Sequence, residues 1–506
     1  MNTTSEITPA IPTATPAFSK YQTAVFDFIS NGSGNAVVNA VAGSGKTFTI
    51  TKALELIPSD KTVLFIAFNK HIVEELKKKL SKLNTSNVDV MTIHSYGAKA
   101  LWANTKSYLD ADKVWKVCDA LYPTWNVDQE IANGYIGRVK RLVELAKLSL
   151  VNSVSELYTI ADKHGIEIYN GEVENAIQVK QITDANTRAH DFNDMIYFPI
   201  RHNMRCKQYD WVFIDECQDL SVCQQELAKK AIKPNGRFIA VGDPHQCIYG
   251  FAGADVESFR KLSAIPNTIT LPLSLTYRCS KEVVKYAQTL VPHIEALPDA
   301  TEGLVRHDGK ISEFKDGDMI LSRVNRPLIT LCIQLLSRHM KAYVKGKDIG
   351  VNLINMLKKT KKADYETAMK ALYKDRGLMI NKMVRKGINL TDAENSNAVH
   401  HFDEKMDALD ALSAGLKKTA DVISRIEKIF ADEHDGICLS SVHKAKGLEA
   451  DRVFIVEPAM MPSPWAKKNW EIEQEDNIAY VAYTRARQEL VFVPESEFTT
   501  YEKKQK

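Results

Sequence analysis

Read for its apolar and polar positions, the chain opens on a stretch of Thr, Ser, Pro and Ala, residues 1–17, that has little to bury, so a disordered leader is expected there. From Phe18 apolar positions recur at helical spacing to about Ile29, and Asn31-Gly-Ser-Gly34 breaks that helix. Continuous apolar runs at 36–41 and 63–68 read as buried strands, 88–93 reads as a third, and helices are expected over 47–56 and 70–80. From 98 to about 201 the pattern turns helical with no convincing strand. Trp102, Trp115 and Trp125 fall among apolar helix positions there, which predicts core packing rather than base stacking. Further strands are expected at 211–214, 238–241, 269–275, 319–322 and 342–345, a second helical stretch between 347 and 433, and closing strands at 437–442, 453–456 and 490–493. Strands alternating with helices in this way predict an α/β architecture whose ligands gather where parallel strands end.

Composition narrows the function classes. A chain of 506 residues supports two to four domains with cores that need no disulfide or metal. The formal charge of +3 is close to balance, so any affinity for nucleic acid must come from a local basic face. Residues 358–386 hold ten basic and three acidic side chains, which suits either such a face or a solvated helix surface. Eight cysteines without a C-x-x-C pair argue against a zinc or iron–sulfur site and for a reducing compartment. No membrane-length apolar run and no signal-peptide layout is present, and a cytoplasmic location is expected.

The chemistry is concentrated where strands stop. The run 36–41 ends at Gly43-Ser44-Gly45-Lys46-Thr47, and a helix follows at once. Glycines let successive N–H groups turn toward a polyphosphate, the helix N-terminus adds positive potential, Lys46 reaches the outer phosphates and Thr47 offers a hydroxyl to Mg²⁺. Ala40 stands at the position where the usual phosphate-loop pattern begins with Gly. The strand 211–214 ends in Asp215-Glu216, one carboxylate for the metal and one to take a proton from an attacking water. After 238–241 comes Gly242-Asp-Pro-His-Gln246, where Gln246 is suited to sense the γ-phosphate; Tyr249 and Phe251 are suited to lie against bases.

These segments, with Leu275-Thr-Tyr-Arg-Cys-Ser280, Ser441-Val-His-Lys-Ala-Lys-Gly-Leu-Glu449 and Ala479-Tyr-Val-Ala-Tyr-Thr-Arg-Ala486, resemble in kind and order the superfamily 1 helicases of the UvrD/Rep branch. The wording around Ala67-Phe-Asn-Lys70 and Asp243-Pro-His-Gln246 is also similar to the F-box DNA helicases. The resemblance implies two RecA-like P-loop NTPase domains with parallel sheets: 18–97 with 202–275, and 276–346 with 434–500. Each carries a mainly helical insertion, 98–201 and a basic one at 347–433. It implies ATP and Mg²⁺, with Lys46, Asp215, Glu216, Gln246, Arg278 and Arg485 catalytic, and Thr47 and Asp215 on the metal. Gln22 and Tyr277 would meet adenine, Glu449 the ribose, and the loop Ala42, Gly43, Ser44, Gly45, Lys46, Thr47 and Phe48 the phosphates. Phe68, Asn69, Thr92, His94, Tyr249, Phe251 and His443 would lie along DNA. In relatives the position of Phe251 is commonly Trp and that of Gly250 commonly Arg. The implied activity is 3′-to-5′ translocation on single-stranded DNA with unwinding of 3′-tailed duplex, by a monomer, with replication or repair proteins as partners. An ATP-switched regulator that binds single strands without unwinding them is the alternative.

Overall fold

Strand β1 (Asn35–Ala40) is buried along most of its length, which requires cover on both faces of its sheet. In the computed structural model, which describes residues 18–81, 87–121, 129–166, 168–169, 171–250, 253–255, 257–385, 389–394, 397–430, 435–464, 466 and 468–497, that cover is complete. β2 (Val63–Ala67) and β3 (Val88–Thr92) follow. The chain then leaves the sheet for a helical segment that carries two short strands, β4 (Tyr108–Leu109) and β5 (Ala189–His190), paired in parallel. It returns with β6 (Tyr209–Ile214), β7 (Ile232–Gly242) and β8 (Thr268–Leu273). The sheet order is β3-β2-β6-β7-β1-β8, parallel throughout. Alternation sorts its side chains: Val37, Leu64, Ile66, Val212 and Ile214 enter one core, and Ala36, Val38, Phe65 and Phe213 enter the other. Helices Lys20–Asn31 and Lys46–Leu54 seal the second face, and Ile93–Asn104 and Asp194–Arg201 the first.

A short parallel pair, β9 (Leu275–Thr276) and β10 (Glu295–Ala296), leads into the second half. There β11 (Leu304–Arg306), β12 (Met319–Ser322), β13 (Ala342–Val344), β14 (Ile437–Ser441), β15 (Ala450–Val456) and β16 (Ala486–Val493) form a parallel sheet in the order β11-β16-β15-β12-β14-β13. Among the described residues, five helices from Lys347 to Ile429 lie in the interval between β13 and β14. One apolar cluster joins the halves: Val41, Ala42 and Ile248 pack with Val442, Ala445, Ile478 and Tyr480. The fold is therefore the α/β architecture that the pattern predicts, in the pair of parallel sheets that the resemblance implies.

Several particulars differ. The strand expected over 269–275 breaks at Ser274 into β8 and β9. The first insertion does contain strands, β4 and β5, too short to leave a periodic signature. Trp102 is 56% exposed, against the expectation of a core residue; Trp115 is partly buried against the insertion's core, and Trp125 lies outside the described residues. The insertion also buries charge. Lys147 Nζ donates to Asp194 at 2.7 Å and Asp191 at 3.1 Å, and Lys113 Nζ donates to Asp194 at 2.8 Å. Lysines paired in this way occupy positions that sequence patterning assigns to solvent.

Candidate nucleotide cleft and nucleic-acid face

The phosphate loop links β1 to helix Lys46–Leu54, with Gly43 and Gly45 in left-handed conformations (φ 71° and 76°) that favour glycine. At Gly43 close approach matters as much as φ: a Cβ there would stand 2.6 Å from Arg278 Cβ and 2.6 Å from Thr276 Oγ1. The loop is also tied to the chain leaving the first sheet, because Tyr277 N donates to Gly43 O at 2.8 Å.

A cleft of about 330 Å³ opens over this loop. Gly43, Ser44, Gly45, Lys46, Thr47 and Phe48 line it from below, with Glu216, Asp219 and Gln246 from the ends of β6 and β7. Arg278, Lys446 and Arg485 enter from the second half of the chain. Parallel strands whose ends share one edge put these loops together, since Val63 lies opposite Trp211 and Trp211 opposite Arg237.

Lys46 Nζ stands 3.4 Å from Glu216 Oε1. Glu216 has φ 51°, an uncommon conformation for a side-chain-bearing residue that turns it away from the line of β6. Gln218 Nε2 donates to the other Glu216 oxygen at 2.5 Å, while Gln218 Oε1 accepts from Asp243 N at 3.1 Å. Burial raises the carboxyl of Asp215, and neighbouring Glu216 raises it further. Burial opposes ionisation of Glu216 too, yet Lys46 and Lys446 outweigh it and hold that carboxyl below its ordinary range. The adjacent pair is thus pushed apart, with Glu216 the ionised member. A cation against Asp215 would relieve its desolvation, and the buried Ser44 hydroxyl, without a partner among the described residues, is a further oxygen in the loop. These donors fit Mg²⁺ as bound in a phosphate site, where most ligands are phosphate and water oxygens; among the described residues no group of three or more His, Cys, Asp or Glu could hold a metal alone.

Arg485 is 1% exposed, with Nε on Val481 O at 2.9 Å and Nη1 on Leu448 O at 3.1 Å. Burial, and then Arg278 beside it, lower its guanidinium to about 9. Arg278 donates through Nε to Glu449 at 2.5 Å and through Nη1 to Thr484 O at 3.1 Å. Gln246 is buried and donates to Asp243 at 2.6 Å. Gln22, 3% exposed, donates to Thr49 Oγ1 and accepts from Tyr277 Oη at 3.0 Å, while the Tyr277 ring is 44% exposed beside Gly45.

Two expected contact groups are engaged by protein partners. The Glu449 carboxylate accepts from Arg278 and, at 2.7 Å, from Arg487. The amide of Ala42 does not face a phosphate, because it donates to Tyr480 Oη at 3.0 Å. Three residues here had no role assigned from the sequence. Lys446 donates to Asp219 at 2.5 Å and to Gln246 O at 2.8 Å, Gln218 orients Glu216, and Tyr480 holds the start of the phosphate loop. Lys446 and Gln218 stand inside runs already singled out; the partners of Lys446 lie in the other half of the chain, and Gln218 is fixed by Glu216 two residues before it and by the amide of Asp243.

The expected DNA contacts fall at the same edge. Phe68, 45% exposed past the end of β2, stacks on Tyr249 with ring centroids 6.5 Å apart. Tyr249 Oη donates to His443 O at 3.3 Å, and Lys446 lies over the Tyr249 ring. Asn69 and Thr92 have other work as helix caps, accepting from Ile72 N and Ser95 N. Burial lowers the imidazole of His94 and, with Arg323 and Lys446, takes that of His443 to about 4, so both are neutral near pH ~7. Phe251 lies outside the described residues.

Comparison with known proteins gives a consistent neighbourhood. The UvrD/REP helicase N-terminal domain matches residues 22–265, and the UvrD-like helicase C-terminal domain matches 318–497. The chain is similar to F-box DNA helicase protein 1 of Schizosaccharomyces pombe, 24% identical over 90% of this chain and 55% of that protein. It is similar to ATP-dependent DNA helicase PcrA of Staphylococcus aureus, 25% identical over 51% of this chain and 38% of that protein. It is also similar to ATP-dependent DNA helicase Rep of Buchnera aphidicola, 24% identical over 54% of this chain and 43% of that protein. The chain thus spans about half the length, or less, of these relatives.

Proposed function

Because the chain belongs to the UvrD/Rep family of helicases, we propose that it is an ATP-driven motor that moves 3′ to 5′ along single-stranded DNA and opens duplex ahead of it. The observation that carries this reading is the shared cleft: Lys46 and Glu216 from one half, Arg278, Lys446 and Arg485 from the other.

Glu216, held ionised by Lys46 and oriented by Gln218, is the base for the attacking water. Mg²⁺ held by Thr47 and Asp215 would supply charge neutralisation at the outer phosphates. Arg485 and Arg278 stabilise charge developing on the transferred phosphoryl, a contribution typically of 10³ to 10⁵ in rate. Cations carried by the other half make turnover depend on how the halves close, and closure alters the groove in which Phe68 and Tyr249 present ring faces to bases. Lys446 connects the two events, since the same ammonium meets Asp219 and the Tyr249 ring, and Phe68 and Tyr249 line the cleft that holds the phosphate loop.

ATPase activity should rise steeply on adding single-stranded DNA, and Lys46→Ala should abolish turnover. A flat response to DNA rejects the motor. Strand separation on 3′-tailed but not 5′-tailed duplex supports the stated polarity; binding with the strands left annealed favours an ATP-switched regulator instead.

A further inference from the structure

The end of helix Val154–Lys163 brings the first insertion against the segment that carries Tyr249. The helix is closed by its own backbone: Gly165 is left-handed (φ 62°), its N–H donates to Asp162 O at 3.1 Å, and Ile166 N donates to Ala161 O at 2.9 Å. The His164 side chain is therefore not needed as a cap, and it reaches out of the insertion instead. Its Nδ1 lies 2.6 Å from the carbonyl oxygen of Gly250, the residue after Tyr249. A carbonyl only accepts, so Nδ1 carries the proton and donates.

That carbonyl also accepts from Gly253 N at 3.1 Å, so one lone pair closes the turn and the other is met by His164. The insertion follows the turn further. A Cβ on Gly253 would stand 2.9 Å from Leu148 Cδ1, and Lys163 Nζ stands 3.7 Å from Asp255. The helix end is braced in turn from the second half of the chain, where Lys468 Nζ donates to Asp162 at 2.6 Å. The nucleotide end of the same segment has separate anchors: Gln246 donates to Asp243 at 2.6 Å, and Cys247 O accepts from Asn477 Nδ2 at 3.2 Å. Gln246 and Tyr249 are thus fixed independently although three positions apart.

We infer that His164 is a positioning residue for the single strand: by holding the peptide that follows Tyr249, it keeps that ring stacked with Phe68 as a surface for bases. The inference rests on the reading of this cleft as a DNA-driven ATPase. Its effect falls on affinity for the strand and spares the phosphoryl-transfer step, because Gln246 has its own supports.

Three variants of the full chain separate this role from packing. His164→Asn presents an amide N–H close to where the imidazole presents Nδ1–H, His164→Gln carries its amide further out, and His164→Leu keeps bulk without a donor. ATPase at saturating ATP is titrated with oligothymidylate, which gives a half-saturating DNA concentration and a plateau rate; anisotropy of the labelled oligonucleotide reads affinity directly. His164→Leu and His164→Gln should raise the half-saturating concentration about three- to tenfold, as expected for one lost hydrogen bond, with the plateau within about twofold of the parent. His164→Asn should stay near the parent. A histidine that only packs predicts the opposite split, a lower plateau from a smaller folded fraction at unchanged half-saturation. Should His164→Leu fail to fold, the Asn and Gln pair still decides. Equal half-saturation in parent and variants, or Asn as weak as Gln, overturns the inference while leaving the motor reading in place. A parent whose ATPase ignores DNA rejects that reading, and this inference with it.

Discussion

Replacing Lys446 by Met removes the ammonium that faces Asp219 Oδ2 at 2.5 Å and leaves that carboxylate, 8% exposed, without a cation. The magnitude follows from proton linkage. Burial raises the Asp219 carboxyl, and even with Lys446 opposing this it titrates at about 6 rather than the ordinary 3.8. The native state thus holds a proton that the unfolded chain has released between about pH 4 and pH 6, so stability falls as pH rises through that window. In the variant, Asp219 avoids an unpaired buried charge by staying protonated, at a cost of at most about 1.4 kcal/mol for each pH unit above about 6. The part of the added destabilisation that comes from Asp219 is therefore roughly 2–3 kcal/mol near pH ~8 and close to zero near pH ~5, where the parent is already mostly protonated, while loss of the second cation facing Glu216 acts at both. Loss of the hydrogen bond to Gln246 O adds about 1 kcal/mol at both. Urea unfolding of parent and variant at the two pH values and equal ionic strength measures the difference. The same destabilisation at both would refute the buried ion pair as the origin.

Glu216→Gln should bind ATP as the parent does but hydrolyse it about 10²–10⁴ times more slowly in single-turnover assays, because the amide cannot take the proton. Asp194→Ala strands the buried Lys113, leaves Lys147 with Asp191 alone, and should cost about 3–5 kcal/mol in urea unfolding. Phe68→Ala should weaken single-stranded DNA binding by about 1–3 kcal/mol with little dependence on sequence, read by anisotropy. Gly43→Ala should lose nucleotide binding, because the added methyl group meets Arg278 and Thr276 in a loop already at positive φ; tight binding by a fluorescent ATP analogue would contradict this.

The primary structure by itself determined the kind of fold and most of the chemistry. Short apolar runs such as 36–41, interrupted only by Asn39, and 63–68 read as strands covered on both faces, and Gly43-Ser-Gly-Lys-Thr47 directly after one of them announces a phosphate loop, because both signals are local. What depended on distant partners came only from the tertiary structure. Lys147 in the core, Trp102 at the surface, Glu449 clasped by Arg278 and Arg487, and Ala42 turned to Tyr480 are each set by a residue remote in sequence or by a neighbouring element. Local periodicity reports which side of an element is apolar. It carries no record of which charge or hydroxyl from the other half of the chain arrives opposite, and that pairing decides which side chains are free to meet a nucleotide.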